Sequence, residues 1–353
     1  MTTMPPMPIF PPEILRVVFE KVEHKGTLLN LLVTSRQFSQ VAEPILYARV
    51  YIFPKIGVSM RMMFQSLLEA LETSNRRRVP YVRAFYLLAD EMTPRENRLL
   101  IDLLEKMVNL KSLKLRLYKY FNFFRPSTTF ALARFEFKCV HYHWDLDLLY
   151  LLESQPSLEI LLLDDARQHE DDPRHIFSPT SFPNLKALSL HSSLVYDFLR
   201  ASPRLIRLRV RGNDDVPPAD SDPICIRTVR TLVYRNTSTD ALISLASLFP
   251  NLEWLTGPIN TMQDLERLSI HARELRGIRF TTRVPSWFSG DNIPRLFEIL
   301  PALEFLDYMD GTDWERYRWY RDAAAPTHVF WLCRDDDVWL ADWVQDAAEV
   351  IDW

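Results

Sequence analysis

Glycine is scarce in this sequence: only seven occur in 353 residues, and the closest two, Gly277 and Gly290, are thirteen residues apart. Phosphate-binding loops need neighbouring glycines, because tight turns and close approach of the backbone to a ligand require residues without a Cβ atom. The spacing therefore excludes the Walker A loop, the dinucleotide-binding fingerprint, the glycine-rich loop of kinases and the G-x-S-x-G nucleophile elbow. Most classes of nucleotide-dependent enzyme are excluded with them.

Cysteine and long apolar runs are also lacking. Cys139, Cys225 and Cys333 are too scattered for a zinc site or a disulfide framework, and we expect small buried side chains in a reducing compartment. No apolar run approaches the ~18 residues that span a bilayer, and the N-terminus lacks the features of a signal peptide. The charge is nearly balanced, with 42 basic and 46 acidic residues. These features predict a globular protein of the cytoplasm or nucleus that has no membrane partner.

The first fifty residues contain three short helical patterns. A proline pair precedes Glu13 at the start of an apolar pattern, which is typical of a first helical turn. A second apolar run follows a break at Gly26, and Thr34 or Ser35 can cap a third helix. Three helices of this length cannot bury all their apolar faces among themselves, so part of their surface is available to a partner.

This segment resembles the F-box, the module through which substrate receptors bind the adaptor subunit of cullin-based ubiquitin ligases. The residues that carry the resemblance are Pro11, Glu13, Ile14, Val18, Phe19, Leu31, Val33, Ser35, Arg36, Phe38, Pro44, Leu46 and Tyr47. The resemblance implies that residues 8–50 bind the adaptor. The adaptor-binding residues that it implies are Pro11, Glu13, Ile14, Val18, Phe19, Leu31, Phe38, Leu46 and Tyr47. The alternative interpretation is an ordinary helical cap on a larger domain.

The rest of the chain repeats the pattern apolar-x-x-apolar-x-apolar. The first apolar residues of its ten copies are Val82, Leu110, Leu132, Leu158, Leu185, Leu205, Val229, Leu252, Leu275 and Leu303. These positions lie 20 to 28 residues apart, within the period of leucine-rich repeats. Helical periodicity is readable in the spacers 97–108, 145–153, 240–249 and 292–300. A strand-turn-helix-turn unit cannot bury its apolar face alone, so we expect stacked units with parallel strands.

The predicted fold is therefore α/β, and it is similar to the irregular leucine-rich repeats of F-box proteins. We predict an F-box-like module at residues 1–50, a helical connector at 51–81, a solenoid of about ten repeats at 82–310, and a Trp-rich cap at 311–353. The solenoid end needs a cap, and Trp339 and Trp343 have helical spacing. The alternative is that this acidic, aromatic tail folds over the strand face until a partner displaces it.

Alternate residues of a strand point to opposite faces, so the residues between the triplet positions should lie on the face opposite the core. Repeats two and three place Lys114, Arg116, Arg134 and Lys138 on that face, whereas repeat five places Ser189 there. The predicted substrate-binding residues come from later repeats and are Arg207, Arg209, Arg211, Arg235 and Arg279. Guanidinium groups match carboxylate and phosphate oxygens, which indicates an acidic or phosphorylated protein substrate, and a merely solvated charged face is the alternative interpretation. Nucleic acid is not expected, because the chain is acidic overall and no aromatic residues alternate with these arginines.

Two functions follow from these patterns. The first is a substrate-recognition subunit of a cullin-type ubiquitin ligase, which binds the adaptor through residues 8–50 and a protein substrate through the repeats. The second is a leucine-rich-repeat scaffold unrelated to ubiquitination. No local motif brings together a nucleophile, a base and an orienting group, so we expect no enzyme, no catalytic residue, no cofactor and no metal site.

Overall fold

The computed structural model describes residues 10–22, 24–53, 59–72, 78–89, 92–119, 129–141, 146–164, 177–212, 226–283, 287–288, 292–309, 316–323 and 326–329. These residues divide into two compact units, of which the first ends at Gly212 and the second begins at Ile226. Both units are α/β and are built from strands that follow one another across a sheet in chain order.

The first unit begins with three helices and continues with alternating strands and helices. Its described helices are α1 (Pro12–Glu20), α2 (Lys25–Thr34), α3 (Arg36–Tyr47), α4 (Met60–Glu72), α5 (Pro94–Lys106), α6 (Leu146–Glu153) and α7 (Val195–Ala201). Its described strands are β1 (Arg49–Ile52), β2 (Ala84–Ala89), β3 (Ser112–Lys119), β4 (Arg134–His141), β5 (Ile160–Asp164), β6 (Ala187–His191) and β7 (Arg207–Arg211). Each strand pairs in parallel with the next.

The second unit continues the alternation and ends in an antiparallel segment. Its described helices are α8 (Thr239–Ala246), α9 (Met262–His271) and α10 (Ile293–Ile299). Its described strands are β8 (Thr231–Arg235), β9 (Trp254–Gly257), β10 (Gly277–Arg283), β11 (Phe305–Met309), β12 (Arg316–Tyr320) and β13 (Thr327–Val329). Strands β8 to β11 are parallel, whereas β12 pairs antiparallel with both β11 and β13.

The ten copies of the apolar pattern correspond to the ten strands β2 to β11. All of their triplet positions are buried except Tyr308, which is half-buried, so the predicted alternation of inward-facing residues is confirmed. Gly257 stands at a triplet position without an apolar side chain, yet this residue is buried like the others. A Cβ atom at this position would lie 2.7 Å from Cδ2 of Leu242, so a leucine of α8 fills the space that a side chain would take.

Strands β2 to β7 and β9 to β11 start with the same backbone hydrogen bonds. Two consecutive N–H groups donate to one carbonyl oxygen of the preceding repeat, as Arg83 and Ala84 do to Ala48, both at 2.9 Å. The other carbonyls that accept two such bonds are those of Arg83, Lys111, Ala133, Glu159 and Lys186 in the first unit and Arg230, Glu253 and Arg276 in the second. Neighbouring repeats are thereby joined at one fixed point, and the backbone groups of each turn are satisfied.

Asparagine side chains strengthen three of these turns. Asn109 Nδ2 donates to the carbonyl oxygen of Pro80 at 2.7 Å, and Asn184 and Asn251 donate to the preceding turn in the same way, at 3.0 and 2.8 Å. All three residues stand immediately before the first apolar position of a repeat. The sequence pattern therefore contains a side-chain bridge between repeats in addition to its apolar triplet.

The sheet is longer at both ends than the predicted boundaries of 82 and 310. Strand β1 begins at Arg49 and pairs with β2, although only four residues alternate there and they follow α3 almost directly. Strand β12 has no apolar triplet and extends the sheet through antiparallel pairing with β11. The predicted helix with Trp339 and Trp343 lies outside the described residues.

Candidate protein-interaction surfaces

The three N-terminal helices pack around a small apolar core. Leu15, Phe19, Leu28 and Ala42 are buried at its centre. The rings of Phe19 and Phe38 are 5.4 Å apart and meet edge to face at 87°. The predicted adaptor-binding residues that belong to this core or pack against it are Phe19, Leu31, Phe38 and Leu46. Ser35 caps α3 by accepting a hydrogen bond from the Phe38 N–H group at 3.1 Å, as its position in the sequence predicts.

A separate apolar stripe of the first helix faces solvent. Ile14, Val17 and Val18 of α1 are 52%, 60% and 54% exposed, and their spacing of three and four residues places them on one face. In α2, Leu29 and Val33 are 51% and 85% exposed. Branched aliphatic side chains grouped in this way on the surface are typical of a protein-interaction site.

The structure divides the predicted adaptor-binding residues into two groups. Pro11, Glu13, Ile14 and Val18 are exposed, whereas the remaining five are buried or half-buried. The sequence analysis missed Val17 and Leu29. Val17 could have been found from the sequence, because it lies one helical turn after Ile14 on the same face.

Arg78 joins the three-helix module to α4. Arg78 Nε donates to Oε1 of Glu43 at 2.5 Å, and its Nη1 donates to the carbonyl oxygen of Ala70 at 2.8 Å. The same guanidinium lies 4.9 Å from the centre of the Tyr47 ring. Tyr47, which the resemblance assigns to the adaptor, therefore contributes to the junction between the module and the sheet.

A buried glutamate organises the basic side chains of β3 and β4. Glu136 is 4% exposed, and its Oε2 lies 2.8 Å from Nζ of Lys114 and 3.7 Å from Nη2 of Arg134. Its Oε1 accepts a hydrogen bond from Nη2 of Arg116 at 3.1 Å. Three cations are thus grouped around one carboxylate, and the sequence analysis named the cations but not Glu136. Its position between Arg134 and Lys138 on alternate strand residues was the available signal.

Aromatic side chains occupy the same face of β1 and β2. Phe53 and Tyr86 have ring centres 5.1 Å apart, and Tyr51 stacks on Phe53 at 6.1 Å. Nζ of Lys114 lies 5.0 Å from the Tyr86 ring centre, and Nζ of Lys25 lies 4.8 Å from that of Tyr51. An aromatic cluster therefore adjoins the basic cluster and reaches the start of α2.

Lys25, at the edge of this aromatic cluster, has a pKa that its surroundings shift. Partial burial lowers the pKa of Lys25 below its usual 10.5, and repulsion from the nearby Arg49 lowers this pKa further. Burial is the larger of the two causes, and the smaller one shows that Lys25 and Arg49 lie close enough to repel each other where α2 meets β1.

The corresponding face of β5 to β7 is largely buried. Leu162 is 7% exposed and Ser189 is 1% exposed, although the sequence analysis placed Ser189 on an open face. Arg209 is 3% exposed, whereas Arg207 and Arg211 on the same strand are half-buried. Arg209 therefore presents little surface to a partner, and the substrate-binding role of these arginines stays a prediction.

In the second unit, a buried aspartate holds two arginines. Asp307 of β11 is 2% exposed and accepts hydrogen bonds from Arg318 at 2.7 and 2.9 Å and from Arg279 at 3.2 Å. Burial acts to lower the pKa of Arg318, but the bonds and attraction to Asp307 outweigh burial and raise this pKa. The predicted substrate-binding residue Arg279 thus shares the Asp307 carboxylate with Arg318. Arg235, also predicted to bind substrate, lies half-buried at the end of β8.

An aromatic row lies beside this ion-pair cluster. Trp254 and Phe305 have ring centres 5.3 Å apart across Gly277, where a Cβ atom would lie 2.5 Å from the Trp254 ring and 2.9 Å from the Phe305 ring. Arg318 lies 3.8 Å from the Phe305 ring centre, and Tyr320 follows at 6.3 Å from Phe305. Gly277 is required because the two rings meet over its backbone.

Comparison with known proteins gives no match: no family model fits the chain, and no curated protein sequence is similar to it. Across the described ranges, no group of three or more His, Cys, Asp or Glu side chains is placed to hold a metal ion. The longest described helices have 13 residues, and none of the helices in these ranges combines the length and hydropathy needed to cross a bilayer.

Proposed function

We propose that this protein is a non-catalytic substrate-recognition subunit of a cullin-based ubiquitin ligase, with residues 8–50 binding the adaptor and the strand repeats binding a protein substrate. The observation that supports the proposal best is the exposed stripe of Ile14, Val17 and Val18 on α1. The opposite face of this helix packs through Leu15 and Phe19 into the module core, so the stripe is not needed for folding of the module.

The junction between the module and the sheet fits a receptor role. Such a subunit acts by holding a substrate close to a ubiquitin-charged enzyme, which raises the effective concentration of a substrate lysine. A fixed distance between the two binding surfaces makes this positioning more precise. Arg78 bridges Glu43 of α3 and Ala70 of α4, and the carbonyl of Ala48 joins the end of the module to the next repeat.

The test measures capture of the purified adaptor subunit by the full chain. The double variant Ile14→Ala, Val18→Ala removes apolar side chains that are about half exposed, so the fold should persist. Adaptor affinity should fall by about tenfold or more, because a combined loss of about 1.4 kcal/mol from the two truncated side chains corresponds to a tenfold change. Ile270→Ala on α9, a side chain 63% exposed in the other unit, is the matched control and should leave adaptor capture unchanged.

Adaptor capture that is absent from the wild-type chain, or that is equally strong in the double variant, would refute the receptor proposal. The scaffold function would then be the better interpretation of the same fold. The circular dichroism spectrum of each variant shows whether a loss of capture reflects the surface or a loss of folding.

A further inference from the structure

We propose that the second unit lies within reach of the ubiquitin-charged enzyme and is protected from it by carrying arginine instead of lysine, which confines ubiquitin attached to this protein to residues 1–186. This inference rests on the proposed function and specifies a regulation of it. The nine lysines of the chain all lie at or before Lys186, whereas residues 187–353, which include the whole second unit, contain eighteen arginines and no lysine. Residues 1–186 contain fifteen arginines, so a preference for arginine throughout the chain does not explain this division.

Ubiquitin transfer to a side chain requires a primary amine. The neutral amine of a lysine attacks the carbonyl carbon of the thioester that joins ubiquitin to the enzyme. The amide N–C bond forms, the C–S bond breaks, the thiolate stays on the enzyme and the amine nitrogen releases a proton to solvent. An arginine guanidinium is not deprotonated in proteins, so it supplies no such nucleophile. Arginine therefore provides the positive charge of lysine without an acceptor for ubiquitin.

The proposed function exposes the repeats themselves to this reaction. The strand repeats hold a substrate beside the charged enzyme, which raises the effective concentration of the substrate lysines there. A lysine on a repeat next to the bound substrate would have the same advantage, and it would be present in every reaction cycle. Ubiquitin attached at such a position would also occupy space that a substrate needs. A surface without lysine avoids both effects.

A lysine can perform the structural role of an exposed arginine in this fold. Ion pairs join residues that stand immediately before neighbouring strands. In the first unit, Nζ of Lys186 lies 3.0 Å from Oε2 of Glu159. At the same place in the repeat of the second unit, Nη1 of Arg230 lies 2.8 Å from Oε1 of Glu253. The side chains of Lys186 and Arg230 are 42% and 45% exposed, so the two positions are alike in contact and in accessibility.

Other arginines of the second unit form equally open ion pairs. Arg276, immediately before β10, lies 2.6 Å from Oε1 of Glu304. Arg267 and Arg295 pair with carboxylates of the preceding helix at 2.6 and 2.9 Å. The side chains of these three arginines are 46% to 62% exposed, and ion pairs at such sites contribute little to stability. Stability therefore does not account for the choice of arginine at these positions.

Arg318 shows where this unit does require arginine. It donates to both carboxylate oxygens of Asp307 at 2.7 and 2.9 Å, and its guanidinium lies 3.8 Å from the centre of the Phe305 ring. Lysine has no planar fork and cannot reproduce this geometry. Such a requirement explains a buried arginine, but it does not explain the absence of lysine from the exposed turns and helices.

The experiment returns one lysine to the second unit of the full-length protein. Arg230→Lys keeps the charge beside Glu253, and Arg276→Lys is a second variant on a separate turn. Each variant is incubated with the purified adaptor, cullin, charged enzyme and ubiquitin, and mass spectrometry locates the modified residues. We expect ubiquitin at the introduced lysine and a rate of self-modification at least about twofold above that of the wild type.

Arg83→Lys is the matched control in the first unit. Arg83 is exposed and stands immediately before β2, and Lys111 already occupies the equivalent position before β3. The control should therefore raise the rate of self-modification less than Arg230→Lys does. An equal increase in the two variants would overturn the inference, because the second unit would then need no special protection.

Acetic anhydride measures the accessibility of the introduced amines without an enzyme. The amines at positions 230 and 276 should be acetylated as readily as Lys186. Amines that are acetylated but receive no ubiquitin, while lysines of the first unit do, would overturn this inference and leave the receptor proposal intact. Amines much less reactive than Lys186 would overturn it as well, because the argument requires exposed positions. Failure of the wild-type chain to capture the adaptor would overturn both proposals.

Discussion

The packing of the repeat helices can be tested with two isomeric side chains on one helix. Leu268 of α9 is 1% exposed, and Ile270, two residues later, is 63% exposed. Helix α9 packs between α8 and α10, and Leu265 and Leu268 form its buried face. Replacing either residue by alanine removes the same number of carbon and hydrogen atoms. The two variants therefore differ only in burial and in helix propensity.

The two variants should differ widely in how much unfolding free energy they lose. Leu268→Ala removes a fully buried side chain and leaves a cavity between packed helices, which costs about 2–5 kcal/mol. In Ile270→Ala only about a third of the side chain was buried, so the lost burial costs roughly 0.5–1 kcal/mol. Alanine is the better helix former by about 0.5 kcal/mol, which offsets much of that loss. We expect the second variant to be within about 0.5 kcal/mol of the wild type.

Tryptophan fluorescence during urea unfolding is the appropriate measurement. The chain has nine tryptophans, and all except Trp144 lie beyond residue 226, so their emission reports on the second unit. At about 3–6 °C per kcal/mol for a unit of this size, Leu268→Ala should also lower the melting temperature by roughly 10 °C. Equal loss of stability in the two variants would refute the assignment of α9's buried face.

Two further predictions concern local environments. Arg49→Gln should raise the pKa of Lys25 toward 10.5 without reaching it, because the repulsion disappears and the burial remains; NMR of methylated lysines would show this, and an unchanged pKa would contradict it. Protonated Lys25 opposes folding at pH values below its lowered pKa, and this effect vanishes above pH 10.5, so the part of it that comes from Arg49 should be absent from the variant at pH 7. Gly277→Ala should destabilise the second unit by about 1–3 kcal/mol and shift tryptophan emission, because its methyl group would displace the rings of Trp254 and Phe305. Unchanged melting and emission would show that these rings do not lie over residue 277.

Much of the α/β framework could be predicted from the sequence because one simple rule controls it. An apolar residue at each triplet position faces the core, and this period-two alternation survives variation in the length of the repeats. The ends of the sheet follow a different rule. Strand β12 reads Arg-Tyr-Arg-Trp-Tyr, which alternates polar and aromatic residues as a strand can but lacks the repeat triplet, so the triplet rule does not place it in the sheet beside β11.

The candidate surfaces were less predictable, because burial of the second strand face depends on what covers it. Alternation places Ser189 and Arg209 opposite the core, but it does not say that both are nearly inaccessible. Charge partners pose the same difficulty. Asp307 bonds Arg279, and Glu136 contacts Lys114 and Arg116, in each case across to the neighbouring strand and 20 to 28 positions away in the chain.

The paired N–H groups at the start of β2 to β7 and β9 to β11 affect which changes in sequence length this fold can accept. Because adjoining repeats are aligned at one carbonyl, residues can be gained or lost between the end of a strand and the next turn without altering strand alignment. Within this chain, intervals of 20 to 28 residues between repeats are accommodated by one strand order. Related chains could therefore acquire different recognition segments on an unchanged sheet, and segment length should vary among them more than the triplets do.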